Sequence, residues 1–349
     1  MDVALAQLRD CIVAANASKS PLRFRGAGTK DFYGEELRGE IIDTRIYHGI
    51  VSYEPTELVI TARCGTPLSD IESVLEQHDQ FLPFEGPRFG GDPTIGGVVA
   101  AGLSGPRRAS AGAVRDFVLG ANMVDANGNV LRFGGQVMKN VAGFDVSRLL
   151  AGSLGILGLI TQVSLKVIPM PRATATLRFD MNAAIALDRF NRWSAQPLPI
   201  SASAWHDGVA YLRLSGAASA VHAAQNSLGG EPVNDDAAFW NSLRDQNHDA
   251  FSAARLWRLS LPSTATFLLP GISLIEWAGA QRWLASDAAP DDIRRAATDI
   301  GGTAALWRGE RNTLMFHPLS EGVMSLHRNL KHQFDPNGIL NRGRLIAGM

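Results

Sequence analysis

Sixteen of the chain's 35 glycines fall between Gly86 and Gly158, in a sequence of 349 residues. No other feature constrains the fold as much, because glycine lets the main chain turn tightly or come close to a neighbour or ligand. The segment reads DPTIGGVVAAGLSG, then AGAVRDFVLGANMVDANGNVLRFGGQVMKNVAGFD, then GSLGILGLI. Upstream, a strand expected over residues 21–25 runs into a second loop, Arg25-Gly26-Ala27-Gly28-Thr29-Lys30. Bare amides beside a hydroxyl and two cations suit phosphate. Together the two segments predict a dinucleotide site.

A Rossmann unit does not fit. Its fingerprint needs G-x-G-x-x-G running into a helix, with an acidic ribose ligand about 20 residues on. Here Gly26 and Gly28 are followed by Asp31, and FYGEELRGE carries no helical pattern. The Gly-Lys-Ser/Thr of a P-loop is also missing. The order RGAGTK, then TIGG with small residues after it, then G-x-x-x-D-x-V-L-G, then GFD…LLAGSLGILGLIT, resembles the FAD-binding domain of the vanillyl-alcohol oxidase / p-cresol methylhydroxylase family. The closing LKHQFDPNGILNRGRL resembles that family's last segment. Over nearly its whole length the chain is similar to the smaller, FAD-binding subunits of bacterial glycolate oxidases. The resemblance implies an α+β protein in three parts. A two-lobed FAD-binding domain of the p-cresol methylhydroxylase type takes residues 1–170. A ferredoxin-like α+β cap domain takes 171–320, and a returning C-terminal tail, 321–349, packs back on the FAD domain.

FAD carries a pyrophosphate with two negative charges, and the resemblance assigns two loops to it. The first holds Arg25, Gly26, Ala27, Gly28, Thr29 and Lys30; the second holds Pro93, Thr94, Ile95, Gly96 and Gly97. Ala100, Ala101 and Gly102 would offer a flat surface of small residues to the adenosine or the ring system. Gly112, Ala113 and Asp116 follow, then Gly143, then Gly155, Ile156 and Ile160, with main-chain groups near 141–143 and 155–156 facing ring or adenine edges. Asp116 and Asp145 fit equally well as turn or helix-cap residues. Lys30, Arg107 and Arg108 are cations that could pair with phosphate, although solvated arginines are common in this sequence. Some family members link their flavin through a histidine in the first loop; Thr29 stands at that position here, so the resemblance implies non-covalent FAD.

Composition agrees and narrows the partners. A net charge of −1 provides no electrostatic attraction to nucleic acid or an anionic membrane. Cys11 and Cys64 form no framework and have no metal-ligand spacing. Cys11 reads as a buried thiol on the apolar side of a helix carrying Leu5, Leu8, Ile12 and Ala15. No signal peptide and no membrane-spanning run is visible, which leads to the expectation of a cytoplasmic protein, associated with the inner membrane through partner subunits if at all.

Further elements are legible. Residues 41–44, 57–63 and 158–168 read as strands, and Asn127-Gly128 marks a hairpin. Thr66-Pro67 predicts an N-cap and first-turn proline for a helix carrying Leu68, Ile71 and Leu75. All seven tryptophans lie beyond residue 190. Strand 174–179, helix 183–193, strands 200–205 and 209–214 and helix 217–228 form the β-α-β-β-α order of a ferredoxin-like layer. Residues 235–251 predict one more helix, with Phe239, Leu243 and Trp240 on its inner side. Val323, Leu326, Leu330 and Phe334 follow helical spacing, and Asp335-Pro336-Asn337-Gly338 forces a turn.

Catalytic residues do not declare themselves. Family members that oxidise 2-hydroxy acids carry a histidine-rich metal motif, whereas no two of the eight histidines here lie within four positions of one another. His317 and His327, Trp277 and Arg308 are the nearest candidates, each also readable as structural. The resemblance implies an FAD-binding subunit of a multisubunit glycolate (2-hydroxyacid) oxidase, working with a homologous larger flavin subunit and an iron–sulfur subunit. Two cysteines are too few to hold such clusters in this chain. A self-sufficient FAD-dependent dehydrogenase acting on D-lactate-like acids and a flavin-free structural partner are the alternatives. Tryptophan in the second domain suits either an interface or a core.

Overall fold

The computed structural model describes residues 2–135, 145–266, 270–311 and 313–349. They form two compact units. The first joins Met1–Leu103, Ala113–Pro169 and Pro318–Met349; the second joins Ser104–Gly112 and Met170–His317.

The first unit opens with helix Val3–Ser18, capped by the Asp2 carboxylate on the Ala4 amide. Leu8, Ile12 and Ala15 form its buried face. Cys11, expected to be buried, is exposed. At 3.6 residues per turn it sits about 70° from the centre of that face, too far round to reach the core. The core beneath gathers Leu22, Ile42, Val124, Leu159, Ile339 and Leu340, so residues from both ends of the sequence share it. A parallel pair, Leu22–Arg25 beside Glu40–Asp43, feeds the first glycine loop.

Next to it stands an antiparallel five-stranded sheet in the order Ile50–Glu54, Val59–Arg63, Leu159–Lys166, Val118–Val124, Val130–Gly134. The two strands Val59–Arg63 and Leu159–Lys166 are buried along most of their length, as expected of strands with both faces covered. The Asn127-Gly128 hairpin forms. Gly128 takes φ +79°, and the Asp125 carboxylate accepts the amides of Asn127 and Asn129 at 2.9 and 2.8 Å.

Helix Leu68–Glu76 is present, but Thr66 is not its cap. Pro67 occupies the cap position, and the Thr66 hydroxyl turns back to the Arg63 carbonyl at 2.7 Å. The helix is capped from a distance instead: Asp92 accepts the Ser69 amide at 3.2 Å and the Ser69 hydroxyl.

In the second unit, one eight-stranded antiparallel sheet replaces the single ferredoxin-like layer suggested by the sequence. Its order is Glu231–Pro232, Ala173–Asp180, Val209–Gly216, Ile200–His206, Ile272–Glu276, Gln281–Ala285, Leu256–Ser260, Thr303–Arg308. The first four strands, with helices Ala183–Ser194 and Ala218–Leu228, make the expected motif. The remaining strands extend it edge to edge through Ala204 opposite Glu276 and Trp205 opposite Ile275. Each half has its own core, one around Phe190 and Trp193, the other around Trp257 and Leu284.

Six of the seven tryptophans are buried, so core filling explains them. The helix expected over 235–251 is shorter. Asp236–Asp245 ends where Gln246 takes φ +56°, and a 3₁₀ turn, Asp249–Phe251, follows. Trp240 and Leu243 are its buried residues.

Candidate cofactor site

Within the first unit a cleft opens between the 26–30 loop, the start of helix Ile95–Ala101, and the 154–160 segment. Counting its open mouth and the solvent there, it encloses about 750 Å³. Among the sequence-predicted residues, Arg25, Gly26, Ala27, Gly28, Thr29 and Lys30 line it, as do Pro93, Thr94, Gly96, Gly97, Ala100, Ala101, Gly155 and Ile160.

The others do not line it. Ile95 and Ile156 are buried in the core. Gly102 takes φ +64° and allows the chain to pass Gly152, whose nitrogen a β-carbon would meet at 2.8 Å. Gly112 falls in the second unit. Ala113 and Asp116 bond each other, the Asp116 carboxylate accepting the Ala113 amide at 2.8 Å, and Asp145 likewise caps helix Val146–Leu149 through the Arg148 amide. Gly143, with Val141, lies outside the described residues.

The two glycine loops differ in what their amides do. Among the described residues the amides of Ala27, Gly28 and Thr29 donate no hydrogen bond within the chain. At the second loop the amides are largely taken: Ile95 donates to the Thr66 carbonyl at 2.8 Å and Gly96 to the Cys64 carbonyl at 2.9 Å, while Gly97 makes a long 3.4 Å bond to the Thr94 hydroxyl. Packing forbids side chains at several positions. A β-carbon on Gly26 would lie 2.2 Å from Thr94 Oγ1, and one on Gly96 2.6 Å from Cys64 Cβ. Gly28 takes φ +76°, which only glycine adopts freely.

The charge is also suitable. Among the described residues, Arg25, Lys30 and Arg344 line the cleft against one carboxylate, Asp31, so three positive and one negative leave a net +2. Arg25 Nε holds Asp31 at 2.8 Å. Open amides, glycines at 26 and 28 and a net charge of +2 fit a dinucleotide pyrophosphate.

Sequence reasoning missed part of the lining: Phe24, Thr44, Cys64, Leu154, Asn341 and Arg344 among others. Asn341 is a brace. Its side chain donates to the Leu154 carbonyl at 2.6 Å and accepts the Phe24 amide at 2.8 Å. Arg344 donates to the carbonyls of Lys30 and Asp31 at 2.8 and 3.0 Å. The only signal for these two was the LNRGRL ending. The buried Cys64 thiol is pushed up to about 12 by desolvation and is inert as a nucleophile at neutral pH.

The tail depends on an unexpected residue. Val323 and Leu326 of helix Glu321–Phe334 are exposed, and the buried residue of that helix is Lys331. Its ammonium donates to the carbonyls of Ile156 and Leu340, both at 2.7 Å, and to Asp335 Oδ2 at 2.6 Å. Asp335 also accepts the amides of Ile339 and Leu340. Burial pulls the Lys331 ammonium below its usual range, and the Asp335 carboxylate opposes that.

The remaining candidates belong to the second unit, apart from His327. His317 receives the Ala304 amide at 3.3 Å and faces the Thr298 hydroxyl. Arg108 stacks on Trp277, whose indole donates to the Gly105 carbonyl, and Arg308 donates to the Phe251 carbonyl. His327 is half-buried on the C-terminal helix. Among the described residues no three His, Cys, Asp or Glu side chains gather as a metal-binding group.

Comparison with known proteins settles the family. Residues 4–134 match the FAD binding domain family. The chain is 48% identical to the glycolate oxidase subunit GlcE of Escherichia coli (strain K12), over 95% of both chains. The chain belongs to the GlcE family. Part of the chain is shared more widely: it is 33% identical over 159 residues to the glycolate oxidase subunit GlcD of Bacillus subtilis (strain 168), spanning 45% of this chain and about a third (34%) of that one. It is 31% identical over 165 residues to a D-lactate dehydrogenase of Anaerostipes hadrus, covering 46% and 34%. An alkyldihydroxyacetonephosphate synthase structure superposes on 97% of the GlcE-type chain and 76% of its own, with a TM-score of 0.66 at 16% identity, which establishes the shared fold. This member of the family is therefore an FAD-binding oxidoreductase-family protein with a p-cresol methylhydroxylase-type domain. No helix among its described residues is long and apolar enough to cross a membrane.

Proposed function

We propose that this chain is the FAD-binding subunit of a multisubunit glycolate oxidase, and that it holds non-covalent FAD in the cleft of its first unit. The observation that carries this reading is the 26–30 loop, with unused amides at Ala27, Gly28 and Thr29 and a net +2 around them. These amides would meet the pyrophosphate, Lys30 and Arg25 would neutralise it, and Ala100 and Ala101 would admit a flat ring system. Thr29, unlike histidine, cannot link to the flavin. Bound there, FAD would supply a redox centre to a complex that oxidises a 2-hydroxy acid such as glycolate to its 2-oxo acid.

Substrate oxidation belongs in this reading to a homologous larger flavin subunit, with an iron–sulfur subunit taking electrons onward. Here His317 is engaged by Thr298 and Ala304 and its basicity is lowered, first by burial and then by Arg294. That makes it a poor general base for a self-sufficient dehydrogenase.

The test is an absorption spectrum of the purified chain with and without added FAD, followed by acid precipitation. Flavin at about one per chain, released entirely into the supernatant, is the expected result; a chain that stays colourless after reconstitution, alone and co-expressed with its partners, refutes the cofactor assignment. Turnover of 2-hydroxy acids by the isolated chain with an artificial acceptor should be negligible, and robust turnover would favour a self-sufficient enzyme.

A further inference from the structure

Two walls of the cleft, the 26–30 loop and the 154–156 segment, are held by one piece of chain, residues 331–344. The Ile339 carbonyl accepts the Leu22 amide at 2.8 Å and the Asn341 amide donates to the Leu22 carbonyl at 2.9 Å, which adds a short parallel bridge to the strand entering the loop. Asn341 ties Phe24 to Leu154, and Arg344 holds the far end of the loop at Lys30 and Asp31. All of this tail lies beyond Asp335, and one buried ammonium anchors it. Lys331 Nζ uses its three protons on three acceptors: the tail at Leu340, the residue next to the cleft-lining Gly155 at Ile156, and Asp335, which orders the turn before Leu340. An aliphatic residue would complete the core of a helix equally well. A buried amine with three acceptors is needed where two carbonyls from distant segments must be held at a fixed separation.

We propose that Lys331 is a positioning residue of the FAD cleft, setting the geometry of Gly155 and Asn341 by pinning the carbonyls of Ile156 and Leu340. The inference rests on the cofactor assignment above. Lys331 touches no cofactor; it acts through the main chain of the wall and the tail.

The test uses the full-length double variant Lys331→Met/Asp335→Asn. Removing both charges at similar volume avoids leaving one buried ion unpaired. Flavin titration should show the FAD Kd raised at least about tenfold, while the apo-protein circular dichroism stays wild-type. Leu75→Ala, buried in the same unit on helix Leu68–Glu76 and not among the residues lining the cleft, provides the control: with an apo melting-temperature loss at least as large, it should retain a near-wild-type Kd. A double variant that binds FAD as tightly as wild type, or a Leu75→Ala protein whose Kd rises as much, overturns the proposal. Wild type failing to bind FAD in the same titration would refute the cofactor assignment instead. Should the double variant not fold, hydrogen exchange on wild type decides: FAD should slow exchange at the Leu340 and Asn341 amides more than at helix Val3–Ser18. Equal slowing, or none, overturns it.

Discussion

The two glycine loops at the cleft look alike in sequence, and the structure gives them different work. The 26–30 loop keeps three consecutive amides unused and has cations around it. The 94–97 loop gives its first two helical amides to the carbonyls of Thr66 and Cys64, and its glycines serve close packing: a β-carbon on Gly96 would strike Cys64. On the proposed reading the first loop is the ligand surface, and the second is chiefly a joint that allows helix Ile95–Ala101 to sit against its neighbours. A glycine pattern reports that backbone comes close to something. It does not report whether that something is ligand or protein.

Substitution should separate the two roles. The largest effect is expected from Gly26→Val, whose β-carbon would fall 2.2 Å from Thr94 Oγ1. It should raise the FAD Kd by about 100-fold, the equivalent of overpacking a rigid site, with isothermal titration as the measurement. Gly26→Val should cost apo stability as well, because Thr94 is part of the protein, whereas Gly96→Ala should act mainly on stability. Apo stability should drop by about 1–3 kcal/mol in a denaturant melt, with a smaller change in Kd than Gly26→Val produces. If Gly96→Ala proved the stronger binding mutant, the division of labour between the loops would be wrong.

The smallest effect concerns pH and the second unit, where the comparison is sharpened by a region without a cleft loop. His248 and His317 are both held below the usual 6.5, in each case chiefly by burial, with His206 adding to the effect at His248 and Arg294 at His317. Their folded values are depressed, so the neutral rings contribute stability that is fully present above about pH 6.5 and is lost as pH falls toward the lowered values. Protonating His248 Nδ1 would also break its bond from the Ala250 amide. Tryptophan fluorescence melts, which report on the second unit alone, should therefore shift down between pH 7 and pH 5. His248→Asn, which can still cap the 3₁₀ turn, should reduce the shift; an undiminished shift would remove His248 from the account.

Much of the first unit was legible from local signals. The strand entering the first loop, the hairpin at Asn127-Gly128 and the turn at Asp335-Pro336-Asn337-Gly338 depend on short-range backbone preferences, which are written in neighbouring residues. The errors share a different origin. Thr66 resembled a cap until Asp92, far along the chain, took the role; Cys11 looked buried because spacing gives a face only to within a residue or so; and Ile156 and Gly102 seemed to face a ligand when they face protein. Reading residues 235–251 as one helix failed because nothing local marks Gln246 as left-handed.

What the sequence pointed to by itself is the kind of site: glycines, a hydroxyl and cations in an order that suits a phosphate-bearing dinucleotide, in a chain too poor in cysteine for iron–sulfur clusters. Which amides remain open, and which residues brace them, was decided only in three dimensions. Phe24, Leu154, Lys331, Asn341 and Arg344 are brought together from separate stretches of the chain by the packing of the C-terminal segment. A hydrogen bond between residues separated by 317 positions leaves no periodicity for a sequence to show. The physical reason is plain: local preference chooses a conformation, whereas a shared buried donor or acceptor chooses a neighbour.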